Sequence, residues 1–282
     1  MSRNRFNTYG FTLIEVIIVI ILLGILSTIL YMVLQGPARA LVDVQRRTNL
    51  VDIAETALQR MTREIRLALP NSIRRTATQL EFLRTIDGAR YREQGANRLK
   101  FNKTSDVFEY FGILTNLADI DIDNTGTTGS AQDDCFADII DCMVVFNTGQ
   151  SGANAYAGDN IAGVTNVTAG QLAFDLTGTL GITKFPNQSP RQRFYIVDTP
   201  VSYICDTTTG EVNRYYSYDF VNNTATSGTK DILIDNFQSC DFDYDQGSST
   251  RAGLVTISIE IRDQVLGESI YLFQQAHVDN QP

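Results

Sequence analysis

Histidine is almost missing from this chain, and that narrows its chemistry at once. The single copy is His277, close to the end. Any Ser-His-Asp or Cys-His site would have to be built on it, and no nucleophile motif lies beside it, so the reading is non-enzymatic and without a cofactor. Basic residues are also few: 23 Lys and Arg against 32 Asp and Glu give a formal net charge of −9. Such a balance makes nucleic acid a poor partner. Arg3 and Arg5 belong to a short basic start, and its removal would leave the chain more acidic still. A third point concerns processing. Ala38-Arg39-Ala40 has the A-x-A form, but the apolar run before it is longer than the core of an ordinary secretory signal, so a secretory cut is not expected there.

That run is the most conspicuous thing present. After the polar leader MSRNRFNTYG, the stretch from Phe11 to Leu34 extends about 36 Å at helical rise, enough to cross a bilayer. Charge alone leaves its orientation open, because Arg39, Arg46 and Arg47 follow the span and outweigh Arg3 and Arg5. The cysteines decide it. Cys135, Cys142, Cys205 and Cys240 all lie beyond the span, an even number suited to two disulfides in a periplasmic or extracellular body. Pairing Cys135 with Cys142 and Cys205 with Cys240 would constrain the unfolded chain by about 2.5 and about 3.8 kcal/mol respectively. The other two pairings remain open, and metal binding is the rival reading, weakened by the lack of C-x-x-C spacing.

Gly36-Pro37 should loosen or kink the helix. The helical pattern then resumes, with Leu41, Val44, Thr48, Val51, Ala54, Leu58, Met61 and Ile65 at spacings of three and four and charged residues between them. Pro70 stops it near Leu69. The expected divisions are a leader over 1–10, a transmembrane helix over 11–35, an amphipathic helix over 36–69 and a β-rich body over 70–282. Within the body, QLEFLRTIDGARYRE reads as a hairpin turning at Asp87-Gly88. Residues 116–187, rich in Gly, Thr, Asn and Asp, read as a loop-rich insertion with short strands such as CMVVFN and QLAFDL. From Arg193 onward, alternating β-branched and aromatic runs flank the turns TTTGE and QGSSTR and end in SIYLFQQAHV. The fold class is α+β, a long N-terminal helix packed on an antiparallel sheet.

Glu15 interrupts the apolar run, and Lys, Arg and His are absent from that run. A carboxylate in hydrocarbon costs a few kcal/mol unless it reaches the interface or finds a partner. Were the leader cut after Gly10, Phe11 would carry a new amino group and Glu15 would become the fifth residue. A neighbouring chain staggered by one step could then set its amine against this carboxylate.

GFTLIEVIIVIILLGIL resembles the prepilin signature of type IV pilins and type II secretion pseudopilins. The resemblance implies a pilin-like fold, cleavage after Gly10 by a prepilin peptidase, N-methylation of Phe11, and Glu15 as the assembly carboxylate. RMTREIRLALPNSIR, FYIVDTPVSYIC and HVDNQP resemble the MshO group, minor pilin-like proteins of MSHA-type (mannose-sensitive haemagglutinin) pilus biogenesis. The implied partners are other minor and major pilins and an inner-membrane assembly platform. The implied location is the inner membrane before assembly and the pilus, at its tip, afterwards. A J-type minor pseudopilin of type II secretion and a tip adhesin for a surface or carbohydrate are the alternatives.

Two acidic motifs invite a calcium reading. Asp119, Asp121 and Asp123 alternate as in an EF-hand loop, but its sixth place holds Asn124 and its twelfth Ser130, where glycine and glutamate are needed. Asp241, Asp243 and Asp245 alternate with aromatics and read as a strand ending in a turn.

Overall fold

A computed structural model of the chain describes residues 12–115, 117–122, 129–221, 225–247, 252–263 and 267–282. It divides into two units, Met1–Val51 and Asp52–Pro282. The first is the greater part of α1, Leu13–Ile65, which runs unbroken through Gly36-Pro37. Its apolar side chains stand open, from Val16 at 44% to Leu13 at 81% exposure, and Leu41, Val42 and Val44 are exposed as well.

The second unit begins with the last turns of α1, which bury Ala54, Ala57, Leu58, Met61, Thr62 and Ile65, a set dominated by three- and four-residue steps. The helix ends at Ile65, before the expected Leu69. Beyond it the Thr85 N–H donates to the Leu67 carbonyl and the Leu69 N–H to that of Leu83, so the chain is already bound to a strand when it reaches Pro70.

Twelve strands and one short α-helix follow among the described residues: β1 (Arg74–Arg75), β2 (Gln79–Tyr91), β3 (Ser105–Phe111), α2 (Ala131–Phe136), β4 (Cys142–Val145), β5 (Ile161–Thr168), β6 (Gln171–Asp175), β7 (Arg193–Asp206), β8 (Glu211–Tyr216), β9 (Thr229–Ile234), β10 (Phe237–Asp245), β11 (Gly253–Arg262) and β12 (Ser269–Val278). The first nine form one antiparallel sheet in the order β1-β2-β3-β6-β5-β4-β7-β8-β9, and β2 also pairs with β7. That extra pairing closes β2, β3, β6, β5, β4 and β7 into a ring. Each ring strand sends side chains to one buried cluster: Tyr91, Phe108 and Tyr110, Leu172 and Phe174, Ala162 and Val164, Met143 and Val145, Phe194 and Ile196. Phe108 meets Phe194 edge-on at 5.4 Å. A second cluster, which includes Phe136, Tyr156 and Phe220, takes in Val144 of β4, Ile161 of β5 and Val197 of β7. Helix α2 presses so close to Gly163 of β5 that a Cβ there would stand 2.3 Å from the Ala131 carbonyl oxygen.

One expectation from the sequence is overturned. Asp87-Gly88 makes no hairpin: β2 runs straight through it, with register shifts against β7 between Arg84, Thr85 and Asp87. Glycine serves close approach instead, because a Cβ at Gly88 would lie 3.1 Å from both the Phe194 carbonyl oxygen and the Tyr195 ring. The segment expected as a loop-rich insertion with short strands carries β4 within CMVVFN, β6 within QLAFDL and, between them, β5, together half of the closed ring. Its small residues permit tight packing, and ring closure gives each of its strands a partner on both sides.

The hairpin β7-β8 turns at 207–210, and β10-β11-β12 forms a separate three-stranded antiparallel sheet burying Phe242, Val255, Ile257, Ile259, Ile261, Ala276 and Val278. Disulfides join Cys135 to Cys142, at the end of α2 and the start of β4, and Cys205 of β7 to Cys240 of β10.

Candidate assembly site

Glu15 lies in the first turn of α1. Thr12 precedes the helix, and its Oγ1 accepts from the Glu15 backbone N–H at 3.4 Å while its carbonyl accepts the same N–H at 3.1 Å and that of Val16 at 3.3 Å. Thr-x-x-Glu is the pattern of a capping box, a start signal overshadowed in the sequence by the hydrophobicity of the span. The first turn also suits a carboxylate electrostatically, since unpaired amides give the helix N-terminus partial positive charge. From Leu13 to Leu34 Glu15 is the one charged residue, on a helix long and apolar enough to cross a membrane. Gly10 and Phe11 lie outside the described residues.

The other candidates belong to the second unit. His277 is exposed on β12, opposite Leu254. Of the first acidic motif, Asp123 and Asn124 are outside the described residues, and the Asp121 N–H donates to the Asp141 carboxylate at 3.0 Å. Asp241, Asp243 and Asp245 share one face of β10, where Asp243 pairs with Arg75 at 3.0 Å. Among the described residues no group of three or more His, Cys, Asp or Glu is placed to hold a metal ion.

Sequence reasoning missed the charged cluster at the other end of α1. Glu64 accepts from Arg214 Nε at 2.8 Å and from the Tyr203 hydroxyl, and lies 3.9 Å from Arg84. Arg84 in turn holds Asp198, and Arg214 reaches Asp231 at 3.4 Å. The Arg214 side chain is 4% exposed. Burial first, then the Glu64 carboxylate, hold the Tyr203 phenol well above its usual range, which keeps it a donor. This cluster joins the end of α1 to β2, β7 and β8.

A second missed feature is acidic. Burial pushes the Asp141 carboxyl up to about 8, and the neighbouring carboxylates of Asp198, Asp121 and Asp138 push the same way against one backbone N–H from Asp121. Burial likewise raises Asp138 to about 6 despite hydrogen bonds from Ser217 and Thr199. Both folded values exceed that of an unfolded aspartate, so the folded state binds more protons and stability falls as pH rises toward 8. Asp141→Asn can still accept the Asp121 N–H but has no charge to bury. It is expected to raise the melting temperature at pH 8 by about 2–4 °C or more, with a smaller rise at pH 5 and little change near pH 3.5, in a melt followed by circular dichroism. An equal shift at pH 8 and pH 3.5 would show that buried charge at Asp141 is not what costs stability.

Residues 5–31 match the prokaryotic N-terminal methylation motif. No curated protein and no solved structure matches the chain. The motif and the helix it opens are those of prepilin-type proteins, and a large antiparallel β domain follows that helix.

Proposed function

We propose that the chain is a non-enzymatic type IV pilin-like subunit, specifically a minor pilin that primes or caps assembly of an MSHA-type pilus. One observation carries the reading: the methylation motif over residues 5–31 heads an exposed apolar helix whose apolar run holds a single charge, Glu15, in its first turn. In this role a prepilin peptidase cuts after Gly10 and Phe11 is methylated. The subunit then waits in the inner membrane with Asp52–Pro282 outside the cytoplasm, a placement supported by the two disulfides in that unit. Other minor and major pilins pack against α1, replacing lipid around it, and the Glu15 carboxylate takes the terminal amine of a neighbour. The assembly platform moves the subunit into the fibre, at its tip.

The test is electron microscopy of surface fibres in a strain lacking the gene, with complementation. Loss of fibres and their return on complementation are expected. Normal fibres would overturn the priming role, and normal fibres together with exoproteins retained in the periplasm would reassign the chain to type II secretion.

A further inference from the structure

The ring has one narrow seam. β2 and β3 pair only through Arg90 with Phe111 and Tyr91 with Tyr110. Past Phe111 the chain turns away through Gly112 and Ile113, and between them and the stretch 85–90 of β2 lies a groove of about 510 Å³, within the size range of small-ligand sites.

Its charges are arranged against folding. Arg90 of β2 stands directly opposite Arg193 of β7, and like charges in that relation destabilise a sheet. The Arg90 side chain is exposed and makes no ion pair among the described residues, while Arg193 meets Asp279 only at 3.8 Å. The two carboxylates in the groove wall also accept from backbone amides. Asp87 accepts from the backbone N–H groups of Gly88 at 2.8 Å and Thr115 at 2.5 Å, and Asp279 accepts from the Gln281 N–H at 3.0 Å. Arg90, without an ion pair among the described residues, thus stands beside Arg193, which meets Asp279 at 3.8 Å and the Tyr195 hydroxyl, and two guanidinium forks on one groove suit capture of a carboxylate.

Beside them is flat apolar surface. The Tyr195 ring lies across Gly88, which has no side chain to lift it, and its hydroxyl is fixed by the Gln281 carbonyl at 3.3 Å. Phe111, paired with Arg90 across the seam, is 52% exposed, and Ile113 is 83% exposed. A rigid ring with one apolar face and one carboxylate satisfies both halves of the groove; a flexible acidic side chain satisfies only the arginines.

We infer that this groove binds a carboxylate-bearing sugar, a hexuronate unit of an acidic polysaccharide, with Arg90 and Arg193 on the carboxylate and the Tyr195 and Phe111 surfaces against the ring. The inference does not depend on the subunit role proposed above. The test is calorimetric titration of the full chain in detergent micelles with trigalacturonate, its neutral counterpart trigalactose, and triglutamate. Saturable binding of trigalacturonate is expected, weakened about tenfold by Arg90→Gln and again by Arg193→Gln, and weakened further as salt rises. Arg90 is exposed and outside any ion pair among the described residues, so its replacement leaves the fold intact. Absence of saturable binding, binding unchanged by Arg90→Gln, or equal binding of trigalactose would overturn the inference, and equal binding of triglutamate would overturn it in favour of an acidic-peptide site.

Discussion

Glu15→Ala is expected to leave processing and the β domain intact and to cut the number of surface fibres at least tenfold. The physical reason is the difference between two surroundings of one carboxylate. In the bilayer Glu15 sits at the head of an apolar helix without a basic residue in the span, a cost on the order of a few kcal/mol. In a bundle of such helices the proposed terminal amine of a neighbour would remove that cost, and on that proposal the carboxylate would favour assembly over remaining in lipid. Alanine abolishes the difference, and a loss of even about 1.4 kcal/mol is tenfold in an association constant. Glu15→Gln should fail nearly as fully, because it keeps the hydrogen-bonding shape without the charge. Fibre counts by electron microscopy, with immunoblots for the processed chain, decide the matter; wild-type numbers in either variant would remove the Glu15 charge from assembly.

Glu64→Ala should produce the largest loss of domain stability, about 3–5 kcal/mol, because it strands Arg214 in a buried position with Asp231 at 3.4 Å as its remaining carboxylate. It also deprives the Tyr203 hydroxyl of its acceptor. Replacing Glu64 by leucine and Arg214 by methionine together should recover much of that loss, since neither charge then remains to be solvated. Urea unfolding followed by circular dichroism measures both. A single-variant loss below about 1 kcal/mol would show that water reaches the cluster and screens it.

Some of these features are legible in the chain directly. Glu15 stands out because a lone charge in an apolar run has no polar neighbours to hide among. The amphipathic turns from Ala54 to Ile65 and the alternating strands β10, β11 and β12 follow one-dimensional periods, which a sequence displays openly. Asp87-Gly88 misleads because its turn chemistry is the same whether glycine is needed for a positive φ or for room beneath Tyr195. CMVVFN and QLAFDL show β4 and β6 as short strands, whereas β5 and the ring itself are obscured because closure draws on partners far along the chain. Glu64 and Asp141 look like ordinary surface charges. Burial is a property of what folds over a residue, and nothing adjacent to either one announces it.

The closed ring also bears on how backbone amides meet water. A strand bonded on both sides cannot fray from an edge, so amides in β4, β5 and β6 should exchange with deuterium only when the whole ring opens. Strands β9 and β12 each have one neighbour and should exchange through local opening, far sooner. The two-residue seam between β2 and β3 is the narrowest join in the ring. Opening should begin there, and a ligand bridging the seam would slow exchange throughout the ring rather than at its own contacts alone.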